Sequence, residues 1–154
     1  MYVGPENNSY YKALGLSDSQ LIFAPHAIDN DRFSHSSGSN IKATDIRKNL
    51  GINEKDLVLL FAGKLEPNKS PNLLLDAFLS INNNHMHLVY AGSGEMEEML
   101  RVRSNEQVHF LGFQNQAAMP AIYRTADVVI LPSRSETWGL ALNEAMACAR
   151  PVIA

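Results

Sequence analysis

Five short, almost continuously apolar runs constrain this chain more than any other feature of it. They are residues 57–63 (L-V-L-L-F-A-G), 87–92 (H-L-V-Y-A-G), 108–112 (V-H-F-L-G), 127–132 (D-V-V-I-L-P) and 151–153 (P-V-I). A strand with one face in water alternates apolar and polar residues. These do not, so each reads as a strand covered on both faces. The segments between them, 70–81, 95–102, 117–126 and 139–149, carry apolar residues at helical spacing. Ser70-Pro71 is a start signal, a capping serine followed by proline at the first helical position. Strand and helix in alternation predict an α/β fold, a parallel sheet with helices on both faces.

Upstream of residue 41 the pattern changes. Residues 1–4 suit a strand end, 7–14 a short helix and 21–24 another strand. Residues 29–40 (D-N-D-R-F-S-H-S-S-G-S-N) are polar, serine-rich and turn-like, and read as a loop or linker. A helix over 41–50 ends at Gly51, which suits a left-handed cap. With 154 residues, 45% hydrophobic and 19% charged, the chain has the composition of one globular domain. A net charge of −3 with scattered lysines and arginines gives no footprint for nucleic acid. The single cysteine, Cys148, cannot form an internal disulfide and sits in A-M-A-C-A as a small core residue. No apolar run is long enough for a transmembrane segment, and the N-terminus lacks a signal-peptide pattern, so a reducing cytoplasm fits.

Ligands of open parallel sheets bind beyond the carboxyl ends of the strands, which makes the loops there the place to look for chemistry. The first loop, 63–70 (G-K-L-E-P-N-K-S), carries Gly63 and Lys64 and ends with Lys69 just before a helix start. A cation there is mildly unfavourable against the helix dipole, and an anionic ligand reverses that sign. Two solvated lysines are the competing reading. The second loop, 91–95 (A-G-S-G-E), places Gly92 and Gly94 where backbone can approach a ligand closely. A dinucleotide fingerprint would need a third glycine where Glu97 stands, and a plain tight turn explains the pair as well.

In the third loop, Thr137, Trp138, Gly139 and Leu140 lead into a helix, and Gly139 lets the turn present free N–H groups to a phosphate. Glu136 stands beside that turn, and Glu144 lies about two turns into the helix. Carboxylates accept hydrogen bonds, and a sugar or ribose diol donates them. A glycosidase would need its two carboxylates roughly 5–9.5 Å apart. Eight residues of helix rise about 12 Å, so this pair does not look like an acid and a nucleophile flanking one bond.

Taken in order, several runs carry a resemblance: A-P-H-A-I-D-N-D-R-F, F-A-G-K-L-E-P-N-K-S-P-N-L-L-L-D-A-F, L-V-Y-A-G-S-G-E, V-H-F-L-G-F, Y-R-T-A-D-V-V-I-L-P-S and E-T-W-G-L-A-L-N-E-A-M-A-C-A-R-P-V-I-A. The chain resembles, along nearly its whole length, the C-terminal nucleotide-sugar-binding domain of the retaining family-4 (group 1) glycosyltransferases of GT-B architecture. The resemblance implies a Rossmann-like sheet and a role at each matching position. Glu144 would hold the ribose hydroxyls of the donor, and Glu136 hydroxyls of the transferred sugar. Backbone N–H groups of Trp138, Gly139 and Leu140 would hold the distal phosphate, with Lys64 and Lys69 neutralising the diphosphate. Gly63 and Thr137 belong to the same donor site, Gly92 and Gly94 would keep the cleft floor open, and the backbone up to Phe113 would flank the base.

The resemblance further implies a nucleotide-diphospho-sugar donor, UDP-sugar favoured, with no other cofactor and no metal. Asp29-Asn30-Asp31, a D-x-D, falls in the family's hinge and reads as a turn. Residues 1–40 would be the tail of an N-terminal domain and the hinge, and 41–154 the donor-binding domain, which looks truncated. The acceptor, a sugar or lipid-linked sugar, would be held by the missing N-terminal domain, the full enzyme would be cytoplasmic or peripheral at a membrane, and this chain alone would be inactive. There are departures. Lys64 stands where arginine is usual, losing the bidentate fork. Ser70 replaces a glycine, Trp138 would narrow the sugar pocket, and Ala149 replaces the glycine of the helix stop. The rival readings are a nucleotide-binding module without catalysis and, third, a dehydrogenase.

Overall fold

The computed structural model describes residues 1–34 and 37–154. Strands β1 (Leu57–Ala62), β2 (Met86–Ala91), β3 (Val108–Gly112), β4 (Val128–Ile130) and β5 (Val152–Ile153) form one parallel sheet in the order β3-β2-β1-β4-β5. Helices α1 (Pro5–Ala13), α2 (Asn30–Ser34) and α3 (Ser37–Asn49) precede β1. Each later crossover carries one helix: α4 (Pro71–Ile81), α5 (Glu97–Arg103), α6 (Met119–Thr125) and α7 (Leu140–Ala147). No helix among the described residues is long and apolar enough to cross a membrane.

The missing alternation in the apolar runs has the expected cause. Val58, Leu60, Val89 and Ala91 pack on one face of the sheet with Ile122 and Tyr123 of α6 and Ala145 of α7. Leu59, Phe61, Leu88 and Tyr90 pack on the other with Leu74, Leu75 and Phe78 of α4 and Leu100 of α5. Gly51 ends α3 in the left-handed region, φ 71°, as a glycine cap should.

Residues 30–34 and 37–40 of the polar stretch are helical rather than loop. Asp29 accepts a hydrogen bond from the Arg32 N–H through Oδ1 at 3.1 Å and so caps α2, which makes the D-x-D a helix start. Phe33 is 2% exposed and packs against Tyr123 with ring centroids 6.0 Å apart. Burying one such ring is worth about 1.5–3 kcal/mol, which offsets part of the entropy cost of ordering this short polar helix. Helix α3 begins at Ser37, earlier than residue 41. His35 and Ser36 of that stretch lie outside the described residues. The two strands expected at 1–4 and 21–24 reduce to a single parallel bridge, Tyr2 to Phe23.

Three helix ends among the described residues use left-handed residues that are not glycine: Ser70, Asn82 (φ 48°, closing α4) and Ala149. Ser70 has φ 49°, and its side chain makes no capping bond. The serine cap expected there needs extended backbone to reach the first free N–H groups, and left-handed backbone does not provide it. Its Oγ is buried without a partner among the described residues. Ala149, φ 56°, closes α7 through its own N–H to the Met146 carbonyl and the Arg150 N–H to the Ala145 carbonyl, both 2.9 Å. That is a Schellman stop formed despite the alanine, at a left-handed cost of roughly 1–2 kcal/mol.

Candidate functional site

Helices leave β1 and β4 toward opposite faces of the sheet, which opens a crevice beyond their carboxyl ends. Two adjoining cavities occupy it. The first, of about 470 Å³, is lined by Gly63, Lys64, Gly92, Phe113, Leu140 and Glu144, together with Tyr123 and Gln114. The second, of about 590 Å³, shares Gly63, Lys64 and Leu140 and adds Lys69, Glu136, Thr137, Trp138 and Gly139, with His26. The structure thus gathers the residues expected from the loops, with one exception.

That exception is Gly94, which lines neither cavity. A Cβ at Gly94 would stand 2.4 Å from the Leu65 carbonyl oxygen, and one at Gly92 would stand 1.8 Å from that of Gly63. Both glycines are required by the close approach of the loop after β1, and Gly92 also lines the first cavity. The Leu65 N–H donates to the Ser93 carbonyl at 3.0 Å and the Met96 N–H to that of Leu65 at 3.0 Å, locking the two loops together. A pyrophosphate on α5, as in a dehydrogenase, would also meet Glu97 and Glu98 in the first turn of that helix.

Glu144 is 8% exposed and accepts a hydrogen bond from the Tyr123 hydroxyl at 2.8 Å. Burial, then the Glu144 charge, pushes the Tyr123 phenol far above its ordinary value, so it stays a neutral donor. Sequence reasoning assigned Tyr123 no role. Its one signal was a polar-tipped aromatic on the buried face of α6, where a hydroxyl must find a partner. His26 was likewise missed, because residues 21–29 carry no periodic pattern leading to the cleft.

At the other end, Lys69 Nζ lies 2.6 Å from Glu136 Oε2. That bond, with help from the Ser133 hydroxyl and the Gly139 N–H, holds the Glu136 carboxyl below its usual range despite desolvation. The loops carrying the pair are joined twice more: the Arg134 N–H donates to the Asn68 carbonyl at 2.9 Å, and Asn68 Nδ2 donates to the Ser135 carbonyl at 3.1 Å. Lys64 is freer, 75% exposed at its side chain and 3.4 Å from Glu66. Gly139 takes φ 72° and launches α7, while the Leu142 N–H turns back to the Gly139 carbonyl at 2.9 Å. Of the N–H groups expected to meet a phosphate, that of Gly139 is turned to Glu136; the Leu140 and Ala141 N–H groups have no carbonyl within the helix to bond, and both residues line both cavities.

The two glutamates therefore line different parts of the crevice and have different partners, Lys69 for Glu136 and Tyr123 for Glu144. Two ammonium groups beside a helix start suit an anion, and the two carboxylates suit hydroxyl groups on either side of it. Among the described residues, no group of three or more His, Cys, Asp or Glu is placed to hold a metal ion.

Comparison with known proteins gives the family and the fold. The family described as glycosyl transferases group 1 matches residues 42–154. An uncharacterised glycosyltransferase of Methanocaldococcus jannaschii is 35% identical over 115 residues, covering 71% of this chain and 30% of the relative. A D-inositol 3-phosphate glycosyltransferase of Geodermatophilus obscurus is 31% identical over 156 residues, covering 91% and 34%. The chain thus spans about a third of the length of these curated relatives. Among solved structures, Anabaena HepE in complex with UDP-glucose superposes with a TM-score of 0.75 at 22% identity, covering 95% of this chain and 41% of that one. WaaG, a glycosyltransferase involved in lipopolysaccharide biosynthesis, does so with a TM-score of 0.75 at 21% identity, covering 99% and 42%. By the match of residues 42–154 to the family, this chain belongs to the group 1 glycosyltransferases.

Proposed function

We propose that this domain binds the nucleotide-diphospho-sugar donor of an enzyme that transfers a hexosyl unit, with retention, to an acceptor. The observation that carries the reading is Glu144, a nearly buried carboxylate oriented by Tyr123 beside the start of α7. It accepts the ribose hydroxyls, the Leu140 and Ala141 N–H groups take the distal phosphate, and Lys64 and Lys69 face the diphosphate. Phe113, 78% exposed at the rim of the first cavity, flanks the base. UDP is the favoured nucleotide; Anabaena HepE, a relative in fold, was solved with UDP-glucose.

Breaking the anomeric bond puts negative charge on the departing diphosphate. Ammonium groups and N–H dipoles fixed where that charge grows stabilise the transition state more than the ground state. They do so without a metal, so a chelator should leave diphosphate binding intact. Transfer also needs an acceptor held in reacting geometry, where an ångström of error costs orders of magnitude in rate. The groups gathered here are donor-side, and we propose that the acceptor, a sugar or lipid-linked sugar, is held by an N-terminal domain on the cytoplasmic side. This chain alone should then bind donor without forming glycoside.

Titration with UDP, GDP, ADP and NAD in parallel tests the reading. A ribonucleoside diphosphate should bind, and its deoxyribose counterpart should bind more weakly. Equal affinity for the two sugars would remove the role given to Glu144, and preferential binding of NAD would favour the dehydrogenase.

A further inference from the structure

The larger cavity holds two aromatic side chains that the phosphate and ribose contacts leave without a task. Trp138, from the β4–α7 loop, and His26, from the N-terminal segment, meet edge to face with ring centroids 5.3 Å apart and planes at 74°. Both line the cavity beside Lys69 and Glu136. Trp138 is also hemmed in at Gly4, where a Cβ would stand 3.8 Å from its Cζ3. The segment bearing His26 is tied down by the Tyr2 N–H to the Ile22 carbonyl, 2.9 Å, and the Ala24 N–H to the Tyr2 carbonyl, 2.8 Å. The segment read from sequence as tail and hinge therefore supplies part of the wall of this cavity.

We propose that Trp138 and His26 form the wall that recognises the transferred sugar, and that with Glu136 they select a neutral hexopyranose over an acidic one. The inference rests on reading the cleft as a nucleotide-sugar site. A pyranose has an apolar C–H face and a rim of hydroxyl donors. The negative face of an aromatic ring takes the first, and a carboxylate takes the second. Charge then discriminates. Without ligand, Lys69 is paired with Glu136 and Lys64 with Glu66. A diphosphate that draws off the lysines leaves Glu136 as the charge facing the sugar. It accepts from a neutral hydroxyl and repels a uronate carboxylate, the more strongly as the cleft loses water.

Trp138 is the single tryptophan of the sequence, so its emission reports on this cavity alone. The test is to titrate the whole chain with UDP, UDP-glucose, UDP-galactose and UDP-glucuronic acid, following heat and tryptophan fluorescence. The better neutral donor should perturb the emission beyond the effect of UDP and bind about tenfold more tightly than the glucuronate. Its gain over UDP should fall by about tenfold in Trp138→Ala and about threefold in His26→Ala, while Trp138→Phe keeps most of it. Glu136→Gln should narrow the gap between neutral and acidic donors. Because each variant is scored by the ratio of its own sugar-nucleotide and UDP affinities, a general loss of folding does not imitate the effect. A gain that survives both alanine variants, or a glucuronate that binds at least as tightly, overturns the proposal and leaves the nucleotide reading standing. Absence of any UDP binding by the unaltered chain overturns both.

Discussion

At the α7 end of the cleft, Glu144 and its partner Tyr123 are 8% and 1% exposed, whereas at the opposite end Glu136 and Lys69 keep 31% and 21% of their side-chain surface in contact with solvent. The first pair sits between α6 and α7 inside the core that covers one face of the sheet. The second pair joins two loops, and a ligand can replace either partner. Glu144 is therefore placed by the same packing that folds the domain, and losing its support costs stability as well as binding. Glu136 is placed by an ion pair of the kind usually worth under about 1 kcal/mol, which makes it exchangeable.

Breaking the buried end should give the largest effect. Tyr123→Ala removes a core ring and the hydrogen bond to Glu144, and is expected to destabilise the domain by about 3–5 kcal/mol in urea unfolding. A loss below about 1 kcal/mol would show that α6 and α7 do not depend on this contact. The next test probes the exposed end by its ligand. Lys69→Ala should weaken UDP by roughly 1.5–3 kcal/mol, less whatever its pair with Glu136 was worth, and leave uridine unchanged. Equal losses for nucleotide and nucleoside would make Lys69 an ordinary surface charge.

Glu144→Ala should cost ribonucleoside diphosphate binding about 1–3 kcal/mol, the scale for a lost charged acceptor. The loss should be smaller for the deoxyribose ligand, and calorimetry with the two side by side decides it. The smallest expected effect concerns pH. Because the folded-state Glu136 carboxyl is held below its ordinary 4.5, the pair with Lys69 contributes stability that is present above that value and lost as pH falls through the folded one. With Glu136 about a third exposed, the contribution should stay below about 1 kcal/mol. Unfolding the parent and Glu136→Gln between about pH 7 and pH 3 should show a difference that shrinks on the acid side. A difference that grows there would mean the carboxylate is strained rather than held.

The buried end was half legible in the sequence and the exposed end differently so. Glu144 stood out as a carboxylate in an alanine-rich helix behind a glycine turn, but its partner lies on another helix with no local signal to connect them. Lys64, Lys69 and Glu136 were singled out from their loops, while the closing of Lys69 onto Glu136 depends on two loops that only the sheet order brings together. Gly92 and Gly94 were singled out for close backbone approach, and the structure adds the loop after β1 as a neighbour that demands the same missing Cβ.

What the sequence determined by itself was everything that a local pattern can express. Continuous apolarity in 57–63 and 87–92 reads as a short strand covered on both faces, and the structure has β1 and β2 there. Gly51 supplies left-handed backbone without steric cost, and α3 stops there. What only the tertiary structure decided were the places where a distant partner outweighs the local preference. Residues 30–34 read as polar loop, yet they coil into α2 because Phe33 finds Tyr123 and the core. Ser70, at the start of α4, and Ala149, at the end of α7, take left-handed backbone that their own side chains disfavour. A preference of a kilocalorie or so per residue is readable from its neighbours in sequence; the burial that overrides it belongs to residues far along the chain, and it exists only after they have met.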